Sequence, residues 1–159
     1  MHQLFLDDFK TGDIYKSVSH TLNDSHFTLF AAITSDAHPI HYDVEYAKAH
    51  GWRGPVAHGL LLLSMCALGA APISHALNES MVAMLGSEAR YKLPAFVGDT
   101  LYPEFKVSGI EPKGAARGIL KLEIALYNQK RELLLQGSHT LMLKRRNVDT
   151  ASSSAGSPL

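Results

Sequence analysis

An α+β domain, in which an antiparallel sheet wraps around a long central helix, is what three features of the sequence predict. From Gly59 to Ala71 nearly every residue is apolar, so a helix there would be buried on all sides. Beyond Pro72 the chain becomes strand-like, most clearly where Leu120, Leu122, Ile124 and Leu126 alternate with Lys121, Glu123 and Ala125. Successive strands joined by hairpin turns form an antiparallel sheet, and a sheet that must cover a buried helix curves around it.

Taken in order, Met1 to Lys10 is a lead-in, and Thr11-Gly12-Asp13 is a turn before a weak strand from Ile14 to His20. Thr21-Leu22-Asn23-Asp24 reads as a capping box with Thr21 as the cap. Phe27, Phe30, Ala31 and Thr34 then recur at helical spacing. Asp43 caps a short helix from Val44 to Ala49 that stops near Gly51, and Pro72 ends the central helix. Met81 to Leu93 is one strand with a bulge at Gly86, followed by the turn-rich PAFVGD link. Leu101 to Val107 is a strand that tolerates Pro103 only at an edge or bulge, and Glu111 to Gly114 is a turn. Asn128-Gln129-Lys130 reverses the chain, and Leu133, Leu135, His139, Leu141 and Leu143 share a face of the last strand. His139 there reads as a packed or interface histidine.

Composition bounds the function. At 159 residues the chain fits one domain over residues 1–145, with a polar tail from 146 to 159 expected to be disordered. Lys plus Arg equals Asp plus Glu at 15 each, which removes the electrostatic case for nucleic acid or an anionic membrane and leaves a small molecule as the partner. The run from Leu60 to Ala71 is too short to span a bilayer, and no basic segment followed by an apolar one marks an export signal. The lone Cys66 excludes an internal disulfide, favours a cytoplasmic location and reads as a small core residue.

The chemistry concentrates between Thr34 and Gly59, in TSDAHPIHYDVEYAKAHGWRGPVAHG. Pro39 forbids a simple continuation of the preceding helix and pushes His38 toward extended backbone, so the segment is a loop held between two helices. A carboxylate from Asp36 and an imidazole from His41 can hold a water between them and move its protons near neutral pH. His58-Gly59 opens the apolar run, where an unpaired helix-start N–H can polarise a carbonyl and Gly59 allows close approach. His38, His41, His50 and His58 raise a metal reading, but no cysteine pair or acidic ligand completes a set, so no metal is expected. Trp52 reads as a packing anchor, and Arg53, Arg90, Lys92 and Arg117 as solvated surface charge.

Three segments in order, FAAITSDAHPIHYDVEYA from Phe30, PVAHGLLLLSM from Pro55 and YKLPAFVGDTL from Tyr91, resemble the MaoC-like dehydratases and (R)-specific enoyl-CoA hydratases of the hot-dog fold. The resemblance covers most of residues 11 to 144. It implies a helix wrapped by an antiparallel sheet, pairing with a second copy as a homodimer or higher homo-oligomer, and hydration or dehydration at carbons 2 and 3 of an acyl thioester. Asp36 and His41 match the D-x-x-P-x-H pattern that handles the water, and Gly59 matches the glycine whose N–H binds the thioester oxygen. His58, His38 and Pro39 fall to substrate binding. The substrate would be an acyl-CoA or acyl-carrier-protein thioester, with coenzyme A as part of the substrate and no separate cofactor. Two positions depart from the pattern: His38 stands where Asn is common, and Ala67 where some members carry serine, with Ser64 about one turn away. An acyl-CoA thioesterase and a non-catalytic acyl-thioester binder are the alternatives.

Overall fold

The computed structural model describes residues 2–146. Ten elements follow in chain order: β1 (Ile14–Lys16), β2 (His20–Thr21), α1 (Asp24–Thr34), α2 (Val44–Ala49), α3 (Gly59–Ser64), α4 (Pro72–Ala76), β3 (Met81–Tyr91), β4 (Thr100–Lys113), β5 (Arg117–Tyr127) and β6 (Leu133–Lys144). The strands make one antiparallel sheet in the order β1-β4-β5-β6-β3, with β2 also on β4. The expected β-strand alternation produces the core. Leu120, Leu122, Ile124 and Leu126 of β5 are buried, as are Leu135, His139, Leu141 and Leu143 of β6, and they pack with Leu61, Leu62 and Cys66 from the α3 segment.

The wrapped helix is much shorter than expected. α3 ends at Ser64, Ala67 is extended, Leu68–Ala70 is a 3-10 turn, and Pro72 opens α4 instead of ending a helix. Proline suits a first helical position because its missing N–H would be unpaired there anyway. The break has a tertiary cause as well: His139 Nε2 donates to the Cys66 carbonyl at 3.0 Å, taking the acceptor that a continuing helix would need at that point. Nor is α3 enclosed all round, since Leu60 is 63% exposed.

The cap of α1 also moves. Asn23 Oδ1 accepts from the His26 N–H at 3.2 Å and His26 Nδ1 accepts from the Asn23 N–H at 3.1 Å, a capping box two residues later than expected. Thr21 is committed elsewhere, paired in β2 with its hydroxyl 2.9 Å from that of Thr100. β4 runs through the expected turn to Lys113, and the reversal falls at Gly114, whose φ of 76° suits glycine. Pro103 sits inside β4 just past the end of β1, which pairs only as far as Glu104, so the missing N–H interrupts no ladder. The bulge in β3 falls where expected, between Met84 and Gly86.

At the far end Arg145 pairs with Asp7, and Arg146 pairs with Asp8 while its guanidinium lies over Phe5. Both arginines are therefore anchored to the amino-terminal segment. The rest of the expected tail, residues 147–159, lies outside the described residues. Among the described residues no helix is long and apolar enough to cross a membrane.

Candidate active site

The loop carrying Asp36 is shaped at each end by its own backbone chemistry. Ser35 closes α1 in the left-handed conformation at φ 61°, turning the chain so that Asp36 leaves the helix exposed. Pro39 opens the 3-10 turn Pro39–His41, and His38 caps it, with Nδ1 accepting from the Ile40 N–H at 3.3 Å. His38 and Pro39 thus build the turn that presents His41. Asp43 caps α2 as expected, accepting from the Tyr46 N–H at 2.9 Å.

His41 is held in one tautomer. Its Nδ1 lies 2.6 Å from the Val56 carbonyl, which can only accept, so Nδ1 carries the proton and Nε2 keeps its lone pair. Val56 is itself fixed by donating to the Ile40 carbonyl at 3.0 Å and by bridging to Phe96. Burial pushes the His41 pKa below its ordinary value, opposed by the Val56 bond and Asp36 and reinforced by His58 and His38.

Behind His41 stands His58, 2% exposed and stacked on it with ring centroids 3.7 Å apart and planes 21° apart. His58 Nε2 donates to the Asp36 carbonyl at 3.0 Å, whereas its buried Nδ1 has no partner. Phe30 packs on the same imidazole at 4.9 Å. His58 therefore ties the start of α3 to the backbone of Asp36.

Asp36, His41 and His58 each bring one donor atom within 4.8 Å of the other two. That spacing passes a distance test for a metal, and the acidic member missing from the sequence reading is Asp36. The orientation does not fit: two imidazoles stacked nearly parallel cannot both aim in-plane lone pairs at one ion about 2.0–2.1 Å away. The arrangement suits proton transfer instead, with an exposed carboxylate beside a half-buried neutral imidazole.

Gly59 opens α3, and its N–H has no acceptor among the described residues. With six residues α3 has little macrodipole, so the unpaired N–H itself is the donor on offer. The space a side chain would occupy at Gly59 is not open: a Cβ there would lie 2.9 Å from Tyr91 Cζ. The glycine is needed for the Tyr91 ring as much as for any ligand.

Sequence reasoning missed two contributors. Arg53 is not a free surface charge: its Nη2 donates to both carboxylate oxygens of buried Asp99 at 2.9 Å, and its guanidinium lies 4.1 Å over the Phe96 ring. Burial alone would raise the Asp99 pKa, but hydrogen bonds from Gln129, the Phe96 N–H and Arg53 outweigh it and hold the carboxyl below its ordinary value. This pair pins Phe96, and so the Val56 carbonyl that orients His41. The second contributor is Tyr91, which the sequence places in the Met81–Leu93 strand and at the head of the YKLPAFVGDTL segment without giving it a role. Gly98 and Asp99 read only as part of a turn-rich link, with nothing to signal the bond to Arg53 46 residues away. Elsewhere Cys66 is the core residue expected, its thiol pushed up to about 12 by burial.

A cavity of about 570 Å³ lies on the sheet among Glu88, Glu104, Lys106, Glu123 and Gln136, and none of the loop residues lines it. Asp36 itself is exposed and His41 half-buried.

Fold and site together define a hot-dog protein of the α+β class with an Asp–His pair set beside the first residue of the wrapped helix. The MaoC like domain matches residues 9–126, and the chain belongs to this dehydratase and hydratase family. It is 29% identical over 114 residues to an (R)-specific enoyl-CoA hydratase of Aeromonas caviae, covering 72% of this chain and 81% of that one. A MaoC-like dehydratase structure from Rhodospirillum rubrum superimposes with a TM-score of 0.79 at 26% identity, covering 91% of this chain and 99% of the other. A conserved hypothetical protein of Mycobacterium tuberculosis with a double hotdog fold shares the fold at a TM-score of 0.75 and 24% identity, over 97% of this chain and 47% of that one.

Proposed function

We propose that this protein is a hydro-lyase that reversibly hydrates a trans-2-enoyl thioester, taken as the CoA ester, to the 3-hydroxyacyl thioester. The observation that carries the reading is the fixed tautomer of His41: with Nδ1 given to the Val56 carbonyl, Nε2 is left as a base beside the Asp36 carboxylate. Water held by Asp36 and His41 gives a proton to His41 Nε2 as its oxygen bonds to C3. The C2=C3 pair shifts to C1–C2 and the carbonyl pair onto the thioester oxygen, and as the carbonyl reforms C2 takes a proton from the Asp36–His41 pair, restoring it. Negative charge on that oxygen is met by the Gly59 N–H. His38 and Pro39 shape the loop that the substrate meets, and His58 supports His41 and Asp36 from behind. Likeness to the A. caviae (R)-specific enoyl-CoA hydratase supports the CoA ester, and an acyl-carrier-protein ester presents the same reacting atoms. We further propose that the working form is a homodimer, because Asp36 is exposed in one chain and apolar side chains of β3 stand exposed.

The test is hydration of crotonyl-CoA, followed as loss of the conjugated absorbance with free thiol measured in parallel. Asp36→Asn and His41→Ala should each lower kcat by roughly 10²–10⁴-fold, the usual worth of a positioned acid or base, with little change in Tm. Thiol release without hydration would replace this reading with a thioesterase, and ligand-induced stabilisation without turnover would leave a binding protein.

A further inference from the structure

The last residue of β3, Tyr91, reaches back over the start of α3. A Cβ built on Gly59 would lie 2.9 Å from Tyr91 Cζ and 3.1 and 3.2 Å from its two Cε atoms, so it is the hydroxyl-bearing tip of the ring that rests on Gly59. β3 holds the residue there through its pairing with Leu135 of β6. The hydroxyl has no hydrogen-bond partner among the described residues, and neither does the Gly59 N–H. Each is a donor without an acceptor, the Tyr91 ring lies against Gly59, and Gly59 follows His58, whose imidazole stacks on His41. A phenylalanine would cover Gly59 equally well, so packing explains the ring and leaves the oxygen unexplained.

We propose that the Tyr91 hydroxyl is a second hydrogen-bond donor, with the Gly59 N–H, to the thioester oxygen, and so a catalytic residue. This rests on the hydration reading above. No proton leaves Tyr91: as the water oxygen bonds to C3 and the π pair moves onto the carbonyl oxygen, the O–H and N–H bonds to that oxygen shorten, and both relax when C2 is protonated. Burial, with a smaller contribution from Cys66, pushes the phenol above its ordinary pKa, which keeps it a donor throughout the working range. An aromatic O–H completing an oxyanion site is established chemistry for enolate-like intermediates.

Tyr91→Phe keeps the ring over Gly59 and removes only the oxygen. The expected result is a fall in crotonyl-CoA kcat on the order of 100-fold, the scale of losing one oxyanion donor, with KM within about twofold and an unchanged Tm. A second readout needs no turnover: acetoacetyl-CoA, whose enolate has its own ultraviolet band, should show that band on the wild type and lose most of it on Tyr91→Phe. Wild-type kcat and an undiminished band in Tyr91→Phe overturn the proposal. If crotonyl-CoA is not hydrated but the band still depends on Tyr91, the hydration reading fails while Tyr91 stands as a donor to a thioester oxygen. A band absent from the wild type as well sinks both.

Discussion

At the scale of single residues, two histidines set how the protein meets acid. Burial lowers the pKa of both His41 and His139, each against a hydrogen bond to a backbone carbonyl that raises it. A histidine whose folded value lies below its unfolded one binds its proton first in the unfolded chain. Its contribution is complete above an unfolded value of about 6.5 and is lost as pH falls through the folded value. Tm should therefore drop as pH goes from 7 to 5, and His139→Gln, less stable throughout, should drop less steeply. The acid limb of kcat/KM reports the free enzyme, so its midpoint should lie below the ordinary imidazole value. His58→Phe keeps the stack but removes the neighbouring imidazole that opposes a charge on His41, so the midpoint should rise; an unmoved midpoint would separate His58 from the protonation of His41. Asp36 and His41 were legible because their D-x-x-P-x-H motif is contiguous. Tyr91 and the Arg53–Asp99 pair were not, because strand register and a contact 46 residues apart in sequence bring them in.

At the scale of elements, what sequence could read was decided by whether the cause is local. Along most of β5 and β6 burial follows the alternation against one core, with Ile119 and Leu134 buried out of phase. The broken central helix was invisible because the His139–Cys66 bond that ends it is made across 73 residues. Two glycines separate local tolerance from long-range constraint. At Gly137 of β6 an added Cβ would run into the Glu88 backbone carbonyl of β3, and backbone in a paired ladder cannot step aside. Gly137→Ala should cost roughly 1–3 kcal/mol or more by overpacking and loosen β3 from the sheet. At Gly59 the obstacle is the far end of the Tyr91 side chain, which can swing away. Gly59→Ala should keep most of its denaturant stability while losing activity, because the ring and its hydroxyl are displaced. Equal stability losses in the two variants, measured by urea unfolding, would contradict this distinction.

At the scale of the whole molecule, the question is what covers β3. Within the described residues it pairs on one side only, with β6, and it exposes Val82, Met84 and Leu85, the last two at 50% and 51%. An unpaired edge with large apolar side chains invites another strand, and natural proteins guard such edges with charge, proline or a covering segment. β3 has only Glu88 and Arg90 toward its end. A second copy related by a two-fold axis would cover this edge in both chains at once, and a stable contact of that kind buries about 1,200–2,000 Å². Tyr91 lies on the same strand as the exposed residues, so a partner on β3 would also wall the approach to Gly59. Sedimentation should therefore show a dimer at micromolar concentration. Leu85→Lys, which leaves the catalytic loop untouched, should shift the protein toward monomer and lower kcat/KM in proportion to the dimer lost, with activity per dimer recovered at higher protein concentration. A fully active wild-type monomer would mean that one chain completes the site alone and that the apolar edge of β3 serves some other contact.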